Sequence, residues 1–318
     1  VEVGSVLESC MEHRRLATYD HCMNATSLST PRTAASLLVP ALLACWLVWG
    51  STYLAIHFAL KSLPPFFQMG SRFLVAGGLL MAWVHWRGGV WPTAVQWRNA
   101  AVIGTLMLGG GMGWVASAQQ HIGSGLIATF IAVVPMLVCG WGLLFGLRPR
   151  RLELLGMAVG LTGVVLLVRG ASFSAAPVGI VFIAGATLAW SLGSVLSTTR
   201  LPLAPGPSGF ASEMLCGGAV LMLTSLALGE QVLWPVSPLA LGAWLYLVVF
   251  GSLVAFSAYL YLLAHASPAV ATSYAFVNPL IALFLGVVFA GEAVSGGEWV
   301  ACGVILTGVL LIFRGKSA

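Results

Sequence analysis

Charge is what this sequence has least of. Acidic and basic residues make up 7% of its 318 positions, against roughly a quarter in a soluble globular domain. Seven of the charged side chains crowd into the first 35 residues, which leaves 16 for the 283 that follow. With a mean hydropathy of +0.98, the chain cannot build a water-exposed surface, so it reads as an integral membrane protein. Aspartate is scarcest of all. The one copy, Asp20, lies in the polar N-terminal stretch, so a paired-aspartate intramembrane protease cannot be assembled. No Walker-type G-x-x-x-x-G-K-[ST] is present, which excludes ATP hydrolysis by this chain. The six cysteines (Cys10, Cys22, Cys45, Cys139, Cys216 and Cys302) show no C-x-x-C spacing, so neither zinc nor a disulfide framework is suggested. The isoelectric point near 9.1 does not signal nucleic acid, because the basic residues stand singly between apolar runs rather than on one face. Gly123-Ser124-Gly125 lacks the intervening residue of a rhomboid-like G-x-S-G. No enzymatic role and no cofactor is expected.

What the chain has instead is long apolar runs. They span approximately 36–60, 65–86, 99–119, 122–146, 152–169, 177–199, 208–228, 239–264, 267–290 and 297–313. At about 20 residues per membrane crossing, they predict ten transmembrane helices in an all-α bundle within the lipid bilayer. Residues 1–35 form a polar extension, expected to be disordered and functionally minor, with Met11 and Met23 as later candidate starts. The connections are short and rich in Pro, Gly and Arg, as at Leu63-Pro64-Pro65 and Arg148-Pro149-Arg150-Arg151. Trp86, Trp91, Trp97 and Trp234 fall near segment ends, where an interfacial aromatic belt is expected. With the N-terminus cytoplasmic, eleven basic residues (Arg14, Arg15, Arg32, Arg87, Arg98, Arg148, Arg150, Arg151, Arg200, Arg314 and Lys316) face the cytoplasm and only Lys61 and Arg169 face out. That bias predicts both termini in the cytoplasm, and the membrane is expected to be the cell (inner) membrane.

The two halves resemble each other. Ser71-Arg72-Phe73-Leu74 recurs 141 residues later as Ser212-Glu213-Met214-Leu215, and Trp49 maps onto Trp190 at the same offset. His121 and Pro135 map onto His265 and Pro279 at an offset of 144, and Leu161-Thr162-Gly163-Val164 onto Leu306-Thr307-Gly308-Val309 at 145. Five helices per half is an odd number, so the second copy enters the membrane from the opposite side. The pattern predicts an inverted-topology repeat, 36–170 against 177–314, an arrangement that secondary transporters use for alternating access.

Trp49-Gly50-Ser51-Thr52-Tyr53, Arg72-Phe73-Leu74, Ser124-Gly125-Leu126-Ile127-Ala128 through Pro135, and above all Pro268-Ala269-Val270-Ala271-Thr272-Ser273-Tyr274-Ala275-Phe276-Val277-Asn278-Pro279 followed by Gly291-Glu292 resemble an EamA-type permease of the drug/metabolite transporter superfamily. The resemblance covers residues 36–318. It implies a ten-helix bundle with a central cavity, exporting small metabolites such as amino acids, drugs and other organic solutes. An importer or exchanger on the same scaffold, or a bundle without a transport cycle, are the alternatives.

Several residues are candidates for carrying a substrate. Pro135 and Pro279 sit near the middle of helices 4 and 9 and are expected to kink them, freeing the carbonyls of Ile131 and Ala275 toward a cavity. Tyr274 and Asn278 lie four apart on one helix face. Trp49 and Trp190 occupy matching places in the repeat and, with Ser51, are expected at the substrate. Arg72 and Glu213 are the formally charged residues well inside helices, and intramembrane ionisable groups mark function by default. Arg72 is a candidate for an anionic group and Glu213 for proton coupling. The topology puts the two about 15 Å apart in depth, too far to pair. Gly156 and Gly160 form a G-x-x-x-G pair. The Thr-Gly repeats of helices 5 and 10 fit either packing within the chain or a homodimer face.

Overall fold

The computed structural model describes residues 31–122, 127, 130–167, 176–290 and 295–316. The expectations for residues 1–30, for the Gly123–Leu126 stretch, for Arg169 and for Gly291-Glu292 lie outside the described residues. The chain divides into Val1–Pro40 and Ala41–Ala318. The described part of the first unit is helical from Pro31; the second unit is the helical bundle.

Every regular element among the described residues is helical. In chain order they are α1 (Leu37–Ala59), α2 (Pro65–Trp86), α3 (Ala94–Ala118), α4 (Val134–Leu144), α5 (Arg151–Leu167), α6 (Pro177–Thr199), α7 (Pro207–Ala227), α8 (Pro238–His265), α9 (Tyr274–Ala290) and α10 (Gly296–Lys316). A one-turn helix, Pro268–Ala271, precedes α9. Among the described residues eight stretches are long and apolar enough to cross a membrane, and α4 is a shorter apolar helix.

Proline sets most of the starts. Pro65, Pro177, Pro207, Pro238 and Pro268 each occupy the first turn of a helix, where the missing N–H has no partner to lose and the fixed φ suits the helix. The start of α3 falls earlier than hydropathy suggests. Thr93 and Gln96 form a capping box, which begins the helix at Ala94, ahead of the polar Arg98-Asn99 pair. Leu79, Leu223, Leu226 and Leu310 point outward, and Trp86 at the end of α2 and Trp234 in the α7–α8 link are 80% and 81% exposed, as lipid-facing and interfacial residues should be.

Glycines fix how the helices meet. A Cβ on Gly70 would come 2.8 Å from the Met222 nitrogen, one on Gly218 2.9 Å from the Leu74 nitrogen, and one on Gly77 3.0 Å from the Leu215 nitrogen. The partner number falls as the glycine number rises, so α2 and α7 run antiparallel with backbones nearly touching. The same holds for α5 and α10: a Cβ on Gly156 would come 2.7 Å from the Gly308 oxygen, one on Gly308 2.5 Å from the Gly160 nitrogen, and one on Gly163 2.8 Å from the Ile305 nitrogen. The G-x-x-x-G pair of α5 and the Thr-Gly of α10 are therefore spent on each other, within one chain. The other main contacts of the bundle come in mates: α1 packs on α8 as α6 packs on α3, α1 on α9 as α6 on α4, and α8 on α2 as α3 on α7.

Three helices contain π-helical stretches: Ala44–Val48 in α1, Thr105–Gly113 in α3 and Leu247–Phe256 in α8. Those of α3 and α8 stand at matching places in the two halves. Such insertions shift a helix face by part of a turn and are frequent at functional sites.

The two prolines behave differently from the expected pair of mid-helix kinks. The chain turns at Ala132-Val133, and Pro135 is the second residue of α4, where a proline costs no hydrogen bond. Pro279 does lie inside α9, but the discontinuity comes before it, at Thr272-Ser273 between the two helical pieces. There the Thr272 hydroxyl donates back to the Pro268 carbonyl at 2.7 Å and the Ser273 hydroxyl to the Val270 carbonyl at 2.7 Å.

Candidate functional site: an aromatic cavity at the meeting of the two halves

The rings of Trp49 (α1), Trp190 (α6), Tyr259 (α8) and Tyr274 (α9) form one cluster. Trp49 lies edge-on to Trp190 with centroids 5.6 Å apart, and edge-on to Tyr274 at 4.7 Å. Trp190 stacks on Tyr259 at 5.1 Å, and Tyr259 meets Tyr274 at 5.5 Å. These separations fall in the range where edge-to-face and offset geometries are favourable. The two tryptophans that correspond by sequence offset thus touch each other.

Beside this cluster lies a cavity of about 70 Å³, large enough to hold water. Trp49, Tyr53, Trp190, Tyr274 and Asn278 border it, with Met112, Val115, Ile131 and Val134 completing the apolar wall. Thr52 and Thr187 also border it, but their hydroxyls donate to carbonyls of their own helices, Trp49 at 2.7 Å and Ala184 at 2.8 Å. No charged side chain stands among the described residues lining it. Asn278 is buried, its side chain reaches the Tyr53 hydroxyl, and its Oδ1 has no hydrogen-bond partner. Leaving a buried carbonyl unpaired costs about 1–3 kcal/mol, so this atom is a ready acceptor for a donor entering the cavity.

Of the residues singled out from sequence, the structure brings Trp49, Trp190, Tyr274 and Asn278 together on this wall. Ser51 lies outside it, hydrogen-bonded to the Tyr246 hydroxyl at 2.6 Å and to the Val48 carbonyl at 2.7 Å, where it joins α1 to α8. Arg72 is fully buried behind Thr52 and Gly251: a Cβ on Gly251 would lie 3.5 Å from Thr52 Cγ2 and 3.8 Å from Arg72 Nη1. Pro135 and Pro279 do not line the cavity, although Ile131 does. Glu213 is fully buried, and neither carboxylate oxygen has a hydrogen-bond partner. In the α2–α7 register Arg72 is level with Val220, seven residues from Glu213, a separation of about 10 Å along the helix. The two do not pair.

Tyr53, Thr52, Thr187 and Met112 were not singled out from sequence as site residues. Tyr53 stands one helical turn after Trp49, a spacing that puts both on one face and that would have found it.

The EamA-like transporter family model matches the chain twice, over residues 36–169 and 177–314. The chain belongs to the EamA-like transporter family, and it is a multi-pass membrane transporter. It is similar to the uncharacterized inner membrane transporter YedA of Escherichia coli K12, with 42% identity over 280 residues that cover 88% of this chain and 91% of YedA. It is also similar to the protein PecM of Dickeya dadantii, with 27% identity over 272 residues that cover 83% and 88%. A solved protein crystal structure matches it with a TM-score of 0.74 at 24% identity, covering 89% of this chain and 98% of the other. That last likeness is one of fold.

Proposed function

We propose that this chain is a secondary transporter of the inner membrane that exports small organic metabolites, amino-acid-like or otherwise, by alternating access between two inverted five-helix repeats. The observation that carries this reading is the buried, unpartnered Oδ1 of Asn278 beside a cavity walled by the corresponding tryptophans Trp49 and Trp190. A site at the contact of two repeats can be exposed to either side when the repeats exchange arrangements. The antiparallel register of α2 against α7 and α5 against α10, and the mated contacts of the remaining helices, support ten crossings in two inverted copies. Residues 36–170 and 177–314 are those copies, and the positive-inside bias favours both termini in the cytoplasm.

In this reading Trp49, Trp190 and Tyr274 hold the apolar part of the solute and Asn278 accepts its hydrogen bond. Ser51 steadies the wall through Tyr246. Glu213 carries the coupling proton, because a buried carboxyl group without a partner can be neutral in one arrangement and ionised in the other. The function is transport rather than chemistry on the solute. An importer or exchanger uses the same groups with the gradient reversed.

The test compares extracellular metabolites of cells expressing the wild type with cells expressing Asn278→Leu at matched membrane levels. A class of solute enriched outside wild-type cells alone supports export and identifies the cargo. Equal profiles, with equal depletion of supplied solutes from the medium, would remove the transport assignment from this cavity.

A further inference from the structure

Behind the wall of the cavity lies a second group of buried polar atoms that the transport reading does not use. Gln68 and Arg72 are one turn apart on α2, and both are essentially inaccessible, at 0% and 1% exposed. Neither the oxygen nor the nitrogen of the Gln68 amide has a hydrogen-bond partner, and Nε and Nη1 of Arg72 have none. Across from them runs the π-helical stretch of α8. Just before that stretch Trp244 Nε1 donates to Ser71 Oγ at 3.0 Å, and at its end the Phe256 ring meets Phe73 at 5.8 Å. Ser252 lies between those two residues along α8, is fully buried, and its hydroxyl is also unpartnered. The guanidinium itself approaches Gly251, the residue before it.

Such a group needs an explanation. A guanidinium stays protonated in proteins, and a charge taken out of water without an opposite charge or a full set of acceptors is strongly disfavoured. Phe73 offers Arg72 a ring face at 4.6 Å, but a π face is a weak counter-charge. Glu213 is about 10 Å away along the axis and accepts no hydrogen bond from it. Nε and Nη1 of Arg72, the Gln68 NH₂ and the Ser252 hydroxyl are donors left without a partner on these two helices, and among the described residues no carboxylate accepts from the guanidinium.

We propose that Arg72, Gln68 and Ser252 bind a small monovalent anion of chloride size between α2 and α8, one layer behind the cavity. The anion accepts from all three side chains and neutralises the guanidinium. Thr52 and Gly251 separate it from the cavity, so it is a resident ion rather than part of the transported solute. Because Gly251 also presents its carbonyl to Trp49 Nε1 at 3.4 Å, an ion held at this stretch of α8 would steady the tryptophan on the cavity wall. The ion site stands whether or not the cavity carries a solute.

The experiment uses the purified full-length protein, without organic solute, with chloride exchanged for gluconate at constant ionic strength and pH. Thermal unfolding is followed together with the ³⁵Cl NMR linewidth. A ligand that binds only the folded state raises the melting temperature saturably, so chloride should raise it and the protein should broaden the chloride line. Arg72→Met should abolish both effects. If that variant does not fold, Ser252→Ala and Gln68→Leu serve instead, each raising the chloride midpoint about tenfold or more, the loss expected for one hydrogen bond to a charged group. Identical melting in chloride and gluconate without line broadening would overturn the proposal and leave water as the occupant. So would a chloride response that survives Arg72→Met, or one untouched by both of the other variants.

Discussion

Asn278 is where a single atom carries most. Its side chain reaches the Tyr53 hydroxyl while Oδ1 is left open, so replacing it with leucine removes an unpaired acceptor from an apolar wall without adding charge. Flux through Asn278→Leu should fall at least about tenfold, the loss of a buried hydrogen bond worth about 1.4 kcal/mol, while membrane insertion is unchanged; this is measured as transport in proteoliposomes at equal protein. Glu213→Gln keeps the volume and removes the titratable proton. It should leave solute binding intact and make flux insensitive to an imposed proton gradient, and a variant still driven by that gradient would take the coupling role from Glu213. These residues were legible for different reasons. Tyr274 and Asn278 declared themselves by spacing, and Trp49 with Trp190 by the repeat offset. Ser51 and Arg72 stand in the same motifs but face another helix, because one residue's step round a helix turns a side chain by about 100° and decides cavity or contact.

At the scale of the element, glycine decides which helices approach. Gly308 meets the backbone of both Gly156 and Gly160, at 2.7 and 2.5 Å for an added Cβ, and no flexible side chain is there to move aside. Gly308→Leu should therefore destabilise the protein by about 3 kcal/mol or more, read as a lower melting temperature and poor recovery from the membrane. Gly303→Leu on the same helix, where a Cβ meets nothing within 4 Å, should be silent in the same assay. The sequence marked these glycines but left two uses open, because a G-x-x-x-G pattern states that a close neighbour exists and not which chain supplies it. Helix boundaries were legible to within a few residues wherever proline or a proline-rich link set them. The π-helical stretches of α3 and α8 were not legible, since an insertion of less than a turn leaves the apolar pattern of a fully hydrophobic helix unchanged. The turn ahead of Pro135 was hidden for a related reason: a proline inside an apolar run reads the same whether it kinks a helix or starts one.

For the whole molecule, an inverted repeat is a statement about sidedness, and sidedness follows from charge. The link between α4 and α5 and the first turn of α5 carry Arg148, Arg150 and Arg151, and they are tied down: Arg150 Nη1 donates to the Gly315 carbonyl at the end of α10, and Glu153 accepts from Ser267 Oγ at 2.6 Å just before Pro268. Two connections of the bundle and the end of α10 thus meet on one face, the face that the positive-inside bias assigns to the cytoplasm. If the halves are inverted, the end of α3 belongs on the opposite face, although Gln120 and Arg148 are separated by only one apolar segment. In a background with all six cysteines replaced, Gln120→Cys should react with a membrane-impermeant maleimide in intact cells, and Arg148→Cys should react only after the membrane is opened. The reverse pattern would turn the molecule over and with it the direction of transport. Equal labelling of both from outside would mean that the segment between them does not cross, leaving the two halves in the same orientation and removing the exchange of arrangements on which alternating access depends.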